Sequence, residues 1–267
     1  MTGGVVVARA HAKINLALRV LGRRRDGYHE LWTVFQTLAL HDTLACVGCE
    51  GPFRIECDAA GVPLDESNLV WRAADALWRA AGRRGAPSGA VVHLRKRIPA
   101  QGGLGGGSSD AAAALVALDT LWGCSLPTNA LPSLAASIGA DVPFFLAGGT
   151  AVGTGRGDVI CPVPAAPHHG VVLLMPSFGV STREAFGWWD ERHPKAVAES
   201  GADARTEWPD RSAPMPVVND LEDAVAARHP ELVRMTTALR EEGATTAAMT
   251  GTEGWHTAMT LTLPPRT

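Results

Sequence analysis

Apolar and polar positions alternate over Ile14, Leu16, Leu18 and Val20, with Asn15 and Arg19 facing the other way. This period of two predicts a strand with one buried face. The charged run Arg23-Arg24-Arg25-Asp26-Gly27 closes on Asp-Gly, a strong turn signal, so Thr33 to Leu40 reads as the returning strand. The period then lengthens. Leu69, Ala73 and Leu77 recur every four residues behind Ser67, which can cap a helix N-terminus, and Gly82 marks the stop. Val91 to Leu94 is a short strand leading into a glycine run. Beyond it Leu115, Leu118, Leu121 and Trp122 recur at three- and four-residue spacing, which predicts a second helix.

A second half begins near the glycine-rich stretch Gly148 to Gly157. Val171 to Leu174 reads as a strand, and Ser181 with Glu184 forms a capping box for a helix carrying Phe186 and Trp189. His193 to Pro216 is polar and rich in Pro and Ala, the composition of a mobile loop. Asn219 and Pro230 each open a further helix, the second stopping near Gly243. Ala247 to Met249 leads to a last glycine turn, and Met259, Leu261 and Leu263 alternate with threonines as a final strand. No segment repeats at a solenoid period. Strands and helices mixed in this way predict an α+β fold of two lobes, 1–160 and 161–267.

Composition narrows the class without changing this layout. A chain of 267 residues, 46% hydrophobic and 19% charged, can bury an ordinary globular core. A net charge of −3 leaves no electrostatic footprint for nucleic acid or an anionic membrane. No apolar run approaches the roughly 20 residues a membrane helix needs, and Met1 to Ala10 lacks the basic and apolar regions of a signal peptide. Five cysteines at irregular spacing make no disulfide framework, and Cys46-x-x-Cys49 has no second pair at zinc-ligand spacing. The expectation is a soluble cytoplasmic protein with no nucleic-acid or membrane partner, either monomer or homodimer.

The candidate chemistry lies in Pro99-Ala100-Gln101-Gly102-Gly103-Leu104-Gly105-Gly106-Gly107-Ser108-Ser109-Asp110, between the predicted strand and helix. Glycines let a backbone approach a polyphosphate closely. The following helix offers unpaired N–H groups and the positive end of its dipole. Ser108 and Ser109 add hydroxyls for a phosphate or a magnesium ion. A linker or packing turn can also be glycine-rich, but the flanking strand and helix favour a nucleotide loop. The loop is not of the Walker type, which ends Gly-Lys-Ser/Thr. Nor is it a dinucleotide loop, because Asp119 falls inside the predicted helix instead of after a second strand.

The run Pro99 to Ala113 resembles the second motif of the GHMP kinases, which include galactokinase, homoserine kinase and mevalonate kinase. Three further segments resemble the branch of that family whose acceptor is 4-diphosphocytidyl-2-C-methyl-D-erythritol. They are Ala12-Lys13-Ile14-Asn15-Leu16, Asp26-Gly27-Tyr28-His29-Glu30-Leu31 and Ile138-Gly139-Ala140-Asp141-Val142-Pro143-Phe144-Phe145, joined by Asn219-Asp220-Leu221-Glu222. The resemblance implies a two-lobed fold with an N-terminal lobe like ribosomal protein S5 domain 2 and a ferredoxin-like C-terminal lobe. It implies an ATP-dependent kinase, with Mg2+ accompanying ATP, acting on the 2-hydroxyl of a cytidine-diphosphate-bearing alcohol in non-mevalonate isoprenoid synthesis.

Residue roles follow from that resemblance. Asp141 would act as general base, and Lys13, paired with it, would hold the carboxylate ionised; read alone they fit a turn residue and an exposed strand-end lysine. Pro99, Gly102, Gly103, Leu104, Gly105, Gly106, Gly107, Ser108 and Ser109 would cradle ATP. Lys96 would meet its phosphates or base, or else end a strand in solvent. Asn15 would contact the acceptor, and His29 its cytosine edge. Tyr28, the sole tyrosine, would stack on the cytosine, with Phe186 on the other face. No metal ligand set can be named. Two positions depart from the family: Gln101 replaces a small residue, and Glu253 replaces a glycine after Met249-Thr250-Gly251-Thr252. A carboxylate beside the phosphates would repel ATP. A homoserine or mevalonate kinase, and a nucleotide-binding homologue with impaired catalysis, therefore stay open as alternatives.

Overall fold

The computed structural model describes residues 3–99, 102–127, 129–165, 170–194, 196–197 and 217–251, with the backbone alone for 258–263. The chain divides into two compact units: Met1–Ala12, Leu38–Pro99 and Gly105–Ala147 form the first, and Lys13–Thr37, Ala100–Leu104 and Gly148–Thr267 the second. Two long strands, β1 (Val5–Arg23) and β2 (His29–Pro52), each give one half to each unit.

In the first unit, β3 (Arg54–Cys57) runs parallel to β4 (Ser88–Arg95), and β4 pairs antiparallel with the second half of β2, from Thr43↔Arg95 onward. Four helices accompany these strands: α1 (Leu69–Ala80), α2 (Gly106–Trp122), α3 (Ala130–Ile138) and α4 (Val142–Ala147). Helix α2 is rich in alanine, and Ala111, Ala112, Ala114, Leu115, Ala117 and Leu118 are all buried. A helix apolar on so many sides belongs inside a core, where small side chains permit close approach of its neighbours. Val70, Ala73, Ala74 and Leu77 of α1 join the same core. Aromatic rings meet edge to face in this core: Phe53 against Trp71 and Trp78 against Trp122, both at 5.2 Å.

The second unit holds β5 (Thr150–Gly155), β6 (Val159–Val163), β7 (Gly170–Leu174), α5 (Thr182–Arg192), β8 (Val218–Asn219), α6 (Glu222–Ala226), α7 (Glu231–Glu241), β9 (Met249–Thr250) and β10 (Ala258–Leu263). The first half of β2 pairs with β5 from Leu31↔Gly155 to Gln36↔Thr150, and β5 continues onto β6. Strand β8 joins β1 in parallel at Ala17↔Val218. A separate three-stranded sheet has the order β7-β10-β9. The capping box of α5 is formed: the Ser181 hydroxyl accepts from Glu184 N–H and the Glu184 carboxylate accepts from Ser181 N–H.

Three expectations change. The strand around Ile14 is not half-buried, because Lys13, Asn15 and Ala17 on its second face are covered as fully as Ile14 and Leu18. Alternation of polarity marked the faces but not their burial; the polar face packs against hydrogen-bonding partners. The cap of α1 is Asn68, whose side chain accepts from Val70 N–H, while Ser67 turns back to Asp65. Asn219 does not open a helix. It ends β8, and its side-chain oxygen accepts from Leu221 N–H ahead of α6. The segment 193–216 lies almost wholly outside the described residues.

Candidate active site

In the first unit, α2 begins at Gly105, which takes the left-handed conformation with φ 69°. Its first closing bond runs from Ser109 N–H to the Gly105 carbonyl at 2.8 Å. The N–H groups of Gly106, Gly107 and Ser108 therefore lack acceptors within the helix, and its first turn carries no acidic residue. A Cβ at Gly106 would come within 3.1 Å of Ile98 and 3.4 Å of the Lys96 ammonium, so any side chain on this floor would have to push its neighbours back. Ser108 and Ser109 are buried on the first turn. A helix N-terminus without a competing carboxylate, floored by glycine, suits a polyphosphate.

Lys96 is not a solvated strand end. Its side chain is 12% exposed, and its ammonium donates to Asp42 Oδ2 at 2.5 Å and Asp110 Oδ2 at 2.6 Å. Asp42 also accepts from the N–H groups of Arg97 and Ile98. This cluster bolts α2, through Asp110 in its second turn, to the strand end that enters the glycine run. Burial pushes the Asp110 carboxyl up to about 7; the adjacent Lys96 charge opposes that shift, and Asp42 reinforces it. Lys96 itself stays charged, raised by both carboxylates against its own burial. Asp141 lies half-buried just ahead of α4, and Pro99 is half-buried before the loop.

In the second unit Lys13 is 2% exposed and interior to β1, not at a strand end. Its ammonium donates to Asn15 Oδ1 at 2.9 Å and lies 5.4 Å from the centre of the Phe35 ring. Because an ammonium only donates, the Asn15 oxygen must face it, which turns Nδ2 toward Thr33 Oγ1 at 2.6 Å. The Thr33 hydroxyl passes its own proton to the Ala17 carbonyl at 2.8 Å. The amide is thus fixed in one orientation by a line of donors. Asn15 N–H donates to Thr250 Oγ1 at 2.7 Å, and Lys13 N–H to the Leu104 carbonyl at 2.9 Å.

Gly102, Gly103 and Leu104 are buried, and Gly251 packs directly on Gly103: a Cβ there would lie 2.7 Å from its carbonyl oxygen. The last glycine turn therefore touches the loop, although Gln101 and Glu253 are both outside the described residues.

The residues of the same unit expected to meet the cytosine lie at or near His29. Its ring stacks on Phe186, centroids 4.5 Å apart, meets Trp189 edge-on, and holds Asp190 Oδ1 at 2.8 Å through Nε2. Tyr28 is 56% exposed at the turn tip, with the Arg156 guanidinium 5.1 Å from its ring centre. Phe186 thus covers His29. Thr33, Asp42, Asp110, Asp190 and Thr250 were missed from sequence. Asp110 and Thr250 carried a signal, the first directly after Ser108-Ser109 and the second inside Met249-Thr250-Gly251-Thr252.

The GHMP kinases N terminal domain matches residues 68–149. A 4-diphosphocytidyl-2-C-methyl-D-erythritol kinase of Moorella thermoacetica is 41% identical, over 92% of this chain and 87% of its own length. One of Salinispora tropica is 45% identical, over 93% and 81%. A crystal structure of 4-(cytidine 5'-diphospho)-2C-methyl-D-erythritol kinase superposes with a TM-score of 0.76 at 35% identity, covering 96% of this chain and 90% of that one. The Methanococcus jannaschii mevalonate kinase, at 10% identity and a TM-score of 0.65, shares the fold. With the phosphate-loop helix and the mixed α+β architecture in place, identity of this extent along nine-tenths of the sequence places the chain in the 4-diphosphocytidyl-2-C-methyl-D-erythritol kinase family of the GHMP kinases.

Proposed function

We propose that this chain transfers the γ-phosphate of ATP to the 2-hydroxyl of 4-diphosphocytidyl-2-C-methyl-D-erythritol, a step in making isoprenoid precursors by the non-mevalonate route. The observation that carries this reading is the near full-length identity to relatives of that name. Phosphoryl transfer asks chiefly for positioning and charge neutralisation, plus a carboxylate to take the hydroxyl proton. Asp141 takes that proton. Lys13, buried and held by Asn15, supplies positive charge to the reacting groups.

The N–H groups of Gly106, Gly107 and Ser108 receive the phosphates at the positive end of α2. ATP supplies the phosphoryl group, and Mg2+ would accompany it. The Ser108 hydroxyl, at the N-terminus of α2, would hold the magnesium ion, which would offset phosphate charge. Lys96 works by anchoring α2 through Asp110 rather than by leaving its carboxylates for ATP.

Recognition of the cytidine falls to Tyr28, His29 and Phe186. Asp190 only accepts, so in the neutral ring His29 Nε2 carries the proton and Nδ1 is an acceptor for the cytosine amino group. Tyr28 offers an open ring face for stacking.

ADP release measured with the cytidine diphosphate alcohol, homoserine and mevalonate tests the assignment. Turnover is expected with the first alone. Turnover only with homoserine or mevalonate would overturn it.

A further inference from the structure

The turn Met249-Thr250-Gly251 touches the phosphate loop on one side and is braced from behind on the other. Asn219 is 6% exposed and donates from Nδ2 to the carbonyls of Met249 at 3.3 Å and Gly251 at 3.5 Å. Its Oδ1 accepts from Leu221 N–H at 3.0 Å, which fixes the amide the right way round for both donations. Three residues on, Glu222 Oε2 accepts from Met249 N–H at 2.9 Å. Both backbone groups of Met249 are therefore tied to the β8–α6 corner. Beyond the turn, the Thr250 hydroxyl accepts from Asn15 N–H and donates to the Asn15 carbonyl at 3.3 Å. Asn15 in turn holds the Lys13 ammonium, and Gly251 stands against Gly103 with no room for a side chain.

We propose that Asn219 and Glu222 are positioning residues for phosphoryl transfer: by fixing the Met249–Gly251 turn they fix Asn15, the Lys13 ammonium and the Gly103–Leu104 end of the phosphate loop. The inference rests on the kinase reading above. Every link joins buried groups except the Glu222–Met249 bond, which is part-buried; a buried donor or acceptor left unmatched is costly, so a shift at one end is passed on instead of absorbed by water. Asn219→Asp keeps the acceptor for Leu221 but replaces a donor by a carboxylate oxygen facing two carbonyls. Glu222→Gln keeps an accepting oxygen for Met249, whereas Glu222→Ala does not.

The three variants and the parent are compared in kcat, KM for ATP and acceptor, ADP affinity by calorimetry, and amide hydrogen exchange. Asn219→Asp and Glu222→Ala are expected to lower kcat about 10- to 100-fold with the acceptor KM little changed. Both should weaken ADP binding and speed exchange at Asn15 and Met249 while Leu115 is unaffected. Glu222→Gln should restore most of the activity lost in Glu222→Ala. Parent values of kcat and ADP affinity in variants that merely melt earlier would overturn the proposal and leave a purely structural role. If Asn219→Asp does not fold, the two Glu222 variants decide. If the parent fails to phosphorylate the cytidine substrate, the kinase reading falls; unchanged ADP affinity and exchange in the variants would then overturn the positioning role separately.

Discussion

Replacing Gly251 by alanine tests the contact between the last glycine turn and the phosphate loop. Gly251 has φ 87°, and an added Cβ would lie 2.7 Å from the Gly103 carbonyl oxygen and 2.9 Å from its Cα. Two costs combine. An L side chain held in the left-handed region costs about 1–2 kcal/mol, and forcing an atom into packed backbone adds about 1–3 kcal/mol. Gly251→Ala should therefore destabilise by about 2–5 kcal/mol, a large share of the roughly 5–15 kcal/mol that holds a typical domain. Gly82 separates the two terms: its φ is 73°, yet a Cβ there meets nothing within 4 Å. Gly82→Ala carries the backbone cost alone, about 1–2 kcal/mol. Urea unfolding reads both, as shifts in midpoint at constant slope, and calorimetry reads ADP affinity. Displacing Gly103 should weaken ADP binding by about tenfold, or 1.4 kcal/mol, in Gly251→Ala only. Equal midpoint shifts in the two variants, with ADP affinity intact in both, would refute the contact.

Asp141→Asn should leave ADP affinity near the parent value and cut kcat by about 10²- to 10⁴-fold, the contribution of a lost general base; an unchanged kcat in steady-state assays would remove Asp141 from the reaction. Burial pushes the Asp110 carboxyl from 3.8 up to about 7 beside Lys96 and Asp42, so the folded chain holds that proton more tightly than the unfolded one. Its stabilising contribution is complete below about pH 4 and lost as pH rises through about 7. Asp110→Asn, neutral throughout, should flatten the fall of the urea midpoint across that window; parallel pH profiles for variant and parent would contradict it.

What could be read from sequence was what neighbouring residues encode. The capping box at Ser181 and Glu184, the glycine run ahead of α2 and the apolar periodicity of α1 and α2 are all local patterns, and all are present. The errors were local rivalries and hidden partners. Ser67 and Asn68 are both good caps, and the competing acceptor at Asp65 decided between them. Read alone, Lys96 fits a surface lysine because Asp42 lies 54 residues away, and Lys13 does so because its partner Asn15 is itself held by Thr250, 235 residues along. Pairings over such distances arise only when the sheet forms. The grouping of His29 with Phe186 and Asp190 is of the same kind, since α5 brings a helical spacing of four against a residue at the start of β2.

The chain passes between its two units after residues 12, 37, 99, 104 and 147, and this has a consequence during synthesis. Everything the first unit needs has been made once residue 147 emerges. The second half of β1, which belongs to the other unit, must still wait for its partner Val218, 70 residues later than position 148. At ribosomal speeds of about 5–20 residues per second, that wait lasts about 4–14 s. Throughout it, the segment carrying Ile14, Leu16 and Leu18 presents an unpaired edge to the cell, the kind of edge that recruits other chains. The strand that carries Lys13 is therefore made among the first and completed among the last, and the nascent chain is most exposed to aggregation just before this lysine is enclosed.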